Sequence, residues 1–276
     1  MADPIKLLHN LLWAAATICL SFPGAATAQP RPSDERCPRL VAEHAPRILP
    51  AAFRLAALGP DEVRLSFIGH ATFLIESAKG VTIATDYNDY VRPRIVPDIV
   101  TMNHAHSTHY TSHPDPEIKH VLRGWGEAGQ PAQHDLQYED VWVRNVVTNI
   151  RDWNGGTELY GNSIFVFETA GICIAHLGHL HHTLTQEHID QLGRIDVVLV
   201  PVDGTFTLNI DGMIEVLQQI KAPLAIPMHI FGSWTLERFL ERMGKIYEIE
   251  HGETPTIMLS RASLPKKPKM LVLPGR

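Results

Sequence analysis

The sequence contains no long run of basic residues, and this absence argues against nucleic-acid binding. Its 276 residues carry 24 Lys and Arg against 30 Asp and Glu, for a formal net charge of −6. No Lys/Arg run lies on a predicted helix, and the lysines of "LPKKPKM" stand in a short segment broken by proline. A basic face is the usual mark of nucleic-acid binding, so we expect a small-molecule substrate and no nucleic-acid partner.

Cysteine is also scarce, with three in the chain: Cys19, Cys37 and Cys173. Cys19 lies in an N-terminal segment that we expect to be removed. An oxidising compartment would permit a disulfide between the other two. Cys173, however, stands in the apolar run "GICIAHLG", where a buried free thiol fits equally well. Both interpretations stay open, because the sequence does not fix the distance between these residues.

The N-terminal apolar run "LLWAAATICLSF" is too short to span a bilayer. It follows Lys6, and the tripeptide "ATA" at 26–28 fits the small-x-small pattern of a cleavage site. These features predict a signal peptide over residues 1–28 and export to the periplasm. After cleavage we expect no stable membrane anchor; an uncleaved anchor is the alternative. The oligomeric state is not predicted.

The remaining chain divides into three segments by composition. Residues 29–60 are rich in Pro and Ala with little periodicity, and we interpret them as a lead-in segment. Residues 61–262 carry strand and helix patterns and are predicted to form one large domain, which this length allows. Residues 263–276 are predicted to be a solvated C-terminal tail.

Short apolar runs that end in polar residues fill the predicted domain, and such runs are typical of buried strands. They include "VRLSFIGHATFLIES", "GVTIATDYN", "DIVTMNH", "HVLRGW", "VWVRNVVTNI", "NSIFVFETAGICIAHLG", "DVVLVPVDG" and "LAIPMHI". Helices are predicted in "TLTQEHIDQLG", "NIDGMIEVLQQIK" and "TLERFLERMGKIYEIE". Strands come first in each half and helices follow. This order favours an α/β fold, a four-layer αββα sandwich with the helices outside.

Histidine is abundant, with 16 in the chain, and it collects at the ends of predicted strands. Five lie between His104 and His120, five between His176 and His188, and His229 ends "LAIPMHI". Rigid strands fix such side chains, while the loops beyond leave room for a substrate. Because neutral imidazole binds zinc and similar metals, the pattern predicts a metal site. A purely structural role is the alternative, but burying so many unpaired imidazoles would be costly.

The segments "IGHATFLIES", "TDYN", "NHAHSTH", "HLGHL" and "IPMHI" resemble, in this order, the landmarks of the metallo-β-lactamase superfamily. The branch most similar is that of the ascorbate-6-phosphate-lactonase-like zinc-dependent hydrolases. The resemblance covers roughly residues 62–232. It implies an αββα sandwich with a metal site at the sheet edges. It also implies hydrolysis of a lactone, phosphoester or amide by metal-bound hydroxide.

The family's ligand pattern is present only in part. His104, His106, His109 and His229 match four of its histidines. Thr108 stands where the family has an Asp that binds the second metal and orients the attacking water. Arg151, in "NIRDWNGG", replaces a further His and has Asp152 behind it. His179, in "HLGH", replaces the family's bridging Asp. The resemblance therefore gives five candidate metal ligands: His104, His106, His109, His179 and His229.

These departures change the charge of the site. Two carboxylates are lost, and Arg151 adds a positive charge that does not titrate in proteins. Two cations a few Å apart need anionic ligands, so we expect one ion, zinc or another divalent transition metal. The candidate catalytic residues are Thr108, Arg151 and Asp203, with Arg151 suited to hold an anionic group. The candidate supporting residues around the ligands are His70, Asp86 and Asp152.

The sequence therefore predicts an exported metal-dependent hydrolase with an altered site that holds one metal ion. Its substrate would be a small ester, lactone or phosphoester, with an anionic group as one option. The alternative, from a different class, is a non-catalytic homologue that binds a metal or ligand, because a fold alone does not carry function.

Overall fold

The computed structural model describes residues 57–275, except 105, 127–128 and 153. The predicted signal peptide and almost all of the predicted lead-in segment lie outside the described residues. In the described part, the strands are β1 (Val63–Gly69), β2 (Thr72–Glu76), β3 (Thr82–Ala84), β4 (Ile99–Met102), β5 (His120–Arg123), β6 (Asp135–Tyr138), β7 (Val141–Arg151), β8 (Thr157–Thr169), β9 (Ile172–His176), β10 (Val197–Pro201), β11 (Leu224–Met228), β12 (Glu248–His251), β13 (Thr256–Leu259) and β14 (Lys269–Val272). The helices are α1 (Gln186–Leu192), α2 (Ile210–Ile220) and α3 (Ser233–Met243).

The strands form two sheets. One has six strands in the order β13-β1-β2-β3-β4-β5, and the other has eight in the order β12-β14-β11-β10-β9-β8-β7-β6. The run β3-β4-β5 is parallel, and so is the run β9-β10-β11-β14-β12. The carboxyl ends of parallel strands meet at one edge, so the polar residues after β3, β4, β9, β10 and β11 are brought to the edges of the two sheets.

The sequence of β10, VVLVP, shows how the layers are held together. Val197 and Leu199 pack in the core that lies between the two sheets. Val198 and Val200 point the other way and pack with Leu217 of α2 and other helical residues. A strand that is buried on both faces requires such a continuous apolar run. Two stacked sheets with helices on an outer face agree with the predicted α/β sandwich.

The helix predictions are confirmed at α1 and α2. Thr185 caps α1, since its hydroxyl accepts a hydrogen bond from the His188 amide, and the helix ends at Gly193. Asn209 caps α2 in the same way through the Gly212 amide. These are the Ser/Thr/Asn caps and the glycine stop that short helices use to satisfy their terminal backbone groups.

Two differences from the sequence predictions lie near the C-terminus. The predicted helix "TLERFLERMGKIYEIE" ends at Met243, and its last three residues instead lie in β12. The predicted tail also contains a strand: β14 pairs in parallel with β11 on one side and β12 on the other. The segment is fixed because Met270 is fully buried under the helices, a contact that no local pattern reveals.

Cys173 is buried and takes part in a disulfide, while Cys19 and Cys37 lie outside the described residues. The free-thiol alternative for Cys173 is therefore wrong. No helix in the described part of the chain is both long and apolar enough to cross a membrane.

Candidate metal centre

Polar side chains from both sheets meet at one point in the described structure. From the six-stranded sheet come His70, in the β1–β2 turn, Asp86, after β3, and the segment after β4 that carries His109. From the eight-stranded sheet come residues that follow β9, β10 and β11, namely His179, Asp203 and His229. The backbone amide of His229 donates to the carbonyl of His70 at 2.7 Å and so joins the two sheets.

Backbone strain is concentrated at this point. His70, Asp86 and His229 have φ angles of 50°, 42° and 56° although none is glycine. Such left-handed conformations cost of order 1–3 kcal/mol each and occur preferentially at functional sites. Local sequence preference does not produce three of them in one place, so the surrounding fold must hold these residues where they are.

Three imidazoles form a group that has the dimensions of a metal site. One ring nitrogen each of His70, His109 and His229 lies within 4.8 Å of the others. His109 and His229 are buried, at 0% and 1% exposure, and His70 is half-buried. The shortest approach is between the Nε2 atoms of His109 and His229, at 3.2 Å.

A buried carboxylate stands behind each of the two inner rings. The Nδ1 of His109 lies 2.6 Å from Asp86 Oδ2, and the Nδ1 of His229 lies 2.9 Å from Asp203 Oδ1. An ionised carboxylate only accepts hydrogen bonds, so each ring donates from Nδ1 and turns Nε2 toward the group. Carboxylates hold metal-binding histidines in this way in many metalloproteins.

The two carboxyl groups differ in their electrostatics. Burial raises the pKa of Asp86 to about 6, although the charge of His176 and a hydrogen bond from Asn103 act in the opposite direction. Burial also tends to raise the pKa of Asp203, but hydrogen bonds from His229 and Thr207 outweigh it and hold that pKa far below its usual value. Asp203 is therefore ionised at every physiological pH.

Asp203 organises the loop that follows β10. Its Oδ2 accepts hydrogen bonds from the amides of Thr205, Phe206 and Thr207 at 2.6–3.2 Å. Its Oδ1 accepts from the Thr207 hydroxyl as well as from His229. With both oxygens occupied in this way, Asp203 is placed to orient His229 rather than to contact a substrate.

Arg151 fixes the same loop from outside. Its Nη2 donates to the carbonyls of Thr205, Phe206 and Thr207 at 3.0, 2.9 and 2.8 Å. The residue contacts the site through its backbone too, because its amide donates to Nδ1 of His181 at 2.5 Å. The guanidinium thus binds backbone oxygens, and its predicted role as the anchor of an anionic group stays a prediction.

His179 lies inside the cluster and is fully buried. Its ring centroid is 4.7–4.8 Å from those of His106, His109 and His229. Its Nδ1 is 2.6 Å from Nε2 of His181, and its own Nε2 has no hydrogen-bond partner in the described part of the chain. Thr108 is adjacent, with its hydroxyl 3.2 Å from Nε2 of His70.

Two predicted site residues lie elsewhere in this structure. The His104 ring is directed to Glu158, with Nδ1 2.7 Å from Oε1, and lies 5.2 Å from the ring of Trp125. Asp152 accepts hydrogen bonds from the amides of Asn154 and Gly156 and so shapes the β7–β8 turn. The structure brings His106, His109, His179 and His229 together, with Asp86 and Asp203 behind them, but not His104 or Asp152.

Sequence reasoning missed two features of the site. The first is His181, which the motifs do not mark as a site residue although it is 7% exposed and contacts His179. The second is an aromatic rim formed by Phe206 and Phe231, which are 56% and 59% exposed. Phe231 lies 4.9 Å from the His229 ring, and the two Phe rings are 5.2 Å apart. A Phe two residues after a strand-end histidine, in "HIF", was the available signal.

A family model described as the beta-lactamase superfamily domain matches residues 64–229. The chain belongs to this superfamily. The match begins in β1 and ends at His229, so it includes every element that contributes to the cluster. It confirms the superfamily and the fold that the sequence motifs predicted.

Relatives agree with this assignment. A UPF0173 metal-dependent hydrolase from Thermoplasma volcanium is 26% identical over 61% of this chain and 83% of its own length. Another from Methanoculleus marisnigri is 28% identical over 60% and 80%. Neither of these relatives is named as an ascorbate-6-phosphate lactonase, so that branch stays a prediction.

Solved structures give the same fold. The crystal structure of a candidate Zn-dependent hydrolase of the metallo-beta-lactamase superfamily from Thermotoga maritima superposes with a TM-score of 0.58. It is 28% identical, and the match covers 78% of this chain and all of that one. A metallo-hydrolase from Ignicoccus hospitalis, 17% identical, superposes with a TM-score of 0.51 over 78% of this chain and 97% of that chain.

Proposed function

We propose that this protein is a metal-dependent hydrolase whose site holds one divalent transition-metal ion, zinc or a similar metal, between His70, His109 and His229. The observation that carries the proposal is the pair of carboxylate-backed imidazoles whose Nε2 atoms face each other. The family and the names of the relatives support a metal-dependent hydrolase.

The donor set fits such an ion. Two imidazole nitrogens that bind one tetrahedral zinc at about 2.0–2.1 Å are about 3.3–3.4 Å apart. The Nε2 atoms of His109 and His229 are 3.2 Å apart. Two lone pairs directed at each other over this distance repel unless a proton or a cation lies between them. Three histidine ligands and an open position are also the usual composition of a catalytic zinc site.

The residues around the ligands divide the remaining tasks. A divalent cation held there would polarise a substrate carbonyl or phosphoryl group and lower the pKa of a water molecule. Asp86 and Asp203 hold the rings of His109 and His229 in the donor orientation. Asp203 also fixes the loop that presents Phe206, and Arg151 reinforces that loop. Each of these contacts orders the site before a substrate binds, which is the main requirement for positioning.

The positions of the carboxylates near the cluster favour one metal ion over two. Asp86 and Asp203 are the carboxylates found at the cluster in the described structure, and each is bound to an Nδ1 atom behind a ring. Neither is placed as a bridge between two cations. Thr108 and His179 stand where the family has acids, so the positions that would offset a second cation carry no charge.

The aromatic rim supports a small substrate with an apolar group beside its scissile bond. Phe206 and Phe231 offer exposed ring faces within reach of the metal ligands, and aromatic faces bind apolar or planar groups. We propose an ester, a lactone or a phosphoester as the bond class. The pattern of residues 1–28 supports the further proposal of export to the periplasm, and N-terminal sequencing of the protein from whole cells tests it.

Hydrolysis of a panel of chromogenic esters, lactones and phosphoesters by the zinc-loaded mature protein tests the function. We expect activity with at least one bond class, its loss after dialysis against a chelator, and its return with added zinc. His251→Gln, at an exposed position in β12, the end strand of the eight-stranded sheet, is the control and should retain the activity. Tight metal binding without hydrolysis of any class would instead support a non-catalytic metal-binding protein.

A further inference from the structure

His179 has one ring nitrogen that is bonded and one that is not. The residue is fully buried, and its Nε2 has no partner among the described residues although it is surrounded by the rings of the metal cluster. A buried polar atom without a partner costs of order 1–3 kcal/mol. Such an atom in a site that is otherwise well ordered points to a ligand that completes its hydrogen bond.

The hydrogen atom on His179 can be located from its neighbours. The backbone amide of Arg151 is an obligatory donor, and it donates to Nδ1 of His181. The proton of a neutral His181 ring must then be on Nε2. That Nε2 lies 2.6 Å from Nδ1 of His179 and donates to it. The proton of His179 is therefore on the unpartnered Nε2.

We infer that His179 is a hydrogen-bond donor to an oxygen atom of the substrate or of the attacking water at this site, and that it is not a metal ligand. An Nε2–H group has no lone pair for a cation, whereas it stabilises negative charge that develops on an oxygen. His181 is the positioning residue, because it fixes the tautomer of His179. The role toward substrate rests on the hydrolase proposed above; the tautomer itself does not.

The inference explains the departure from the family pattern at this position. A carboxylate there would bridge two cations, while a neutral N–H donor has no use in holding a second metal. Preorganised donors of this kind act in a buried site without water, where removing one lowers kcat about 10²–10³-fold.

Histidine tautomers are read directly by long-range 1H–15N correlation spectra of the 15N-labelled mature protein. We expect the His179 ring, assigned by comparison with His179→Gln, to show the Nε2–H tautomer in both the metal-free and the zinc-loaded protein. His109 and His229 should show the Nδ1–H tautomer and should change on zinc binding, and His251→Gln controls for the assignment. A His179 ring that carries its proton on Nδ1, or loses its Nε2 proton when zinc is added, would overturn the inference.

Two variants separate this inference from the metal proposal. His181→Phe removes the hydrogen bond that His181 donates to Nδ1 of His179. The His179 ring should then be a mixture of its two tautomers. His179→Gln keeps an N–H donor and should bind zinc within about tenfold of the wild type, because the lost ring is not a ligand. Loss of zinc binding in His179→Gln alone, with the fold retained by circular dichroism, would contradict the donor role. Failure of the wild type to bind zinc would sink the hydrolase proposal but leave the tautomer result valid.

Discussion

The Nε2 atoms of His109 and His229 lie 3.2 Å apart although the two residues belong to different sheets. Each ring is held from behind by its own carboxylate, Asp86 or Asp203. The sandwich therefore brings two prepared imidazole donors together at the junction of its sheets.

Zinc affinity should depend on His109 but not on His104, although both belong to the segment "NHAHSTH". His109→Ala removes a buried ligand and should lower zinc affinity beyond the about 10–100-fold that loss of an outer partner costs. His104→Ala should bind zinc like the wild type, because its ring pairs with Glu158 and Trp125 instead. Competition with a chromogenic zinc chelator measures both affinities. If His104→Ala lost zinc as His109→Ala does, the ligand set would have to include His104.

The carboxylate of Asp203, behind His229, should increase zinc affinity even though it does not face the metal. Asp203→Asn keeps the size of the side chain but removes the ionised acceptor for Nδ1. We expect zinc affinity to fall about 10–100-fold. Asp211→Asn is the control, since Asp211 is exposed and pairs with exposed Arg242. An unchanged affinity in Asp203→Asn would show that the carboxylate serves the loop alone.

The aromatic rim should affect binding of the substrate more than the chemical step. Phe231→Ala removes a ring 4.9 Å from His229 and should raise KM about 2–10-fold for an ester with an apolar acyl group, with little change in kcat. Trp234→Ala removes an equally exposed ring, which lies over Arg238, and should leave KM unchanged. Equal effects of the two variants would remove the case for a substrate platform at Phe206 and Phe231.

The stability of the metal-free protein should fall on acidification. Burial, together with the neighbouring histidines, holds the pKa of His109 well below its ordinary value. Below about pH 6.5 the His109 ring is protonated in the unfolded chain but stays neutral in the folded protein. The free energy of unfolding therefore falls as pH drops. This one ring costs up to about 2 kcal/mol at pH 5. Urea denaturation at pH 8, 6.5 and 5 measures it, and a flat profile would contradict a neutral, buried His109.

The sequence predicts the metal site but not the direction of each side chain. His109, His179 and His229 follow apolar runs, and parallel strands carry such ends to one edge, so their meeting follows from the pattern. His104 belongs to the same motif, yet its ring is turned toward Glu158, a residue 54 positions away. His70 was expected only to support the ligands. Its left-handed backbone, tied to the His229 amide, carries its ring into the group.

The directions of the Arg151 and Asp152 side chains are likewise not predicted by the sequence. Arg151 and Asp152 are adjacent, and sequence alone does not show which of them approaches the site. The answer depends on the β7–β8 turn, in which Asp152 accepts two backbone hydrogen bonds, and on the loop after β10, which offers Arg151 three carbonyls. The Asp152 contacts are local to the turn, whereas the Arg151 contacts join segments more than 50 residues apart and leave no trace in local composition.

The metal content of the mature protein, purified without a histidine tag, tests the central claim most directly. Elemental analysis should find about one equivalent of a divalent transition metal, as a three-histidine site implies. The equivalent should be retained in His251→Gln and lost in His229→Ala. About two equivalents would contradict the single-ion site and require further anionic ligands. The absence of metal after incubation with zinc, iron, manganese or copper would contradict the metal-dependent hydrolase itself.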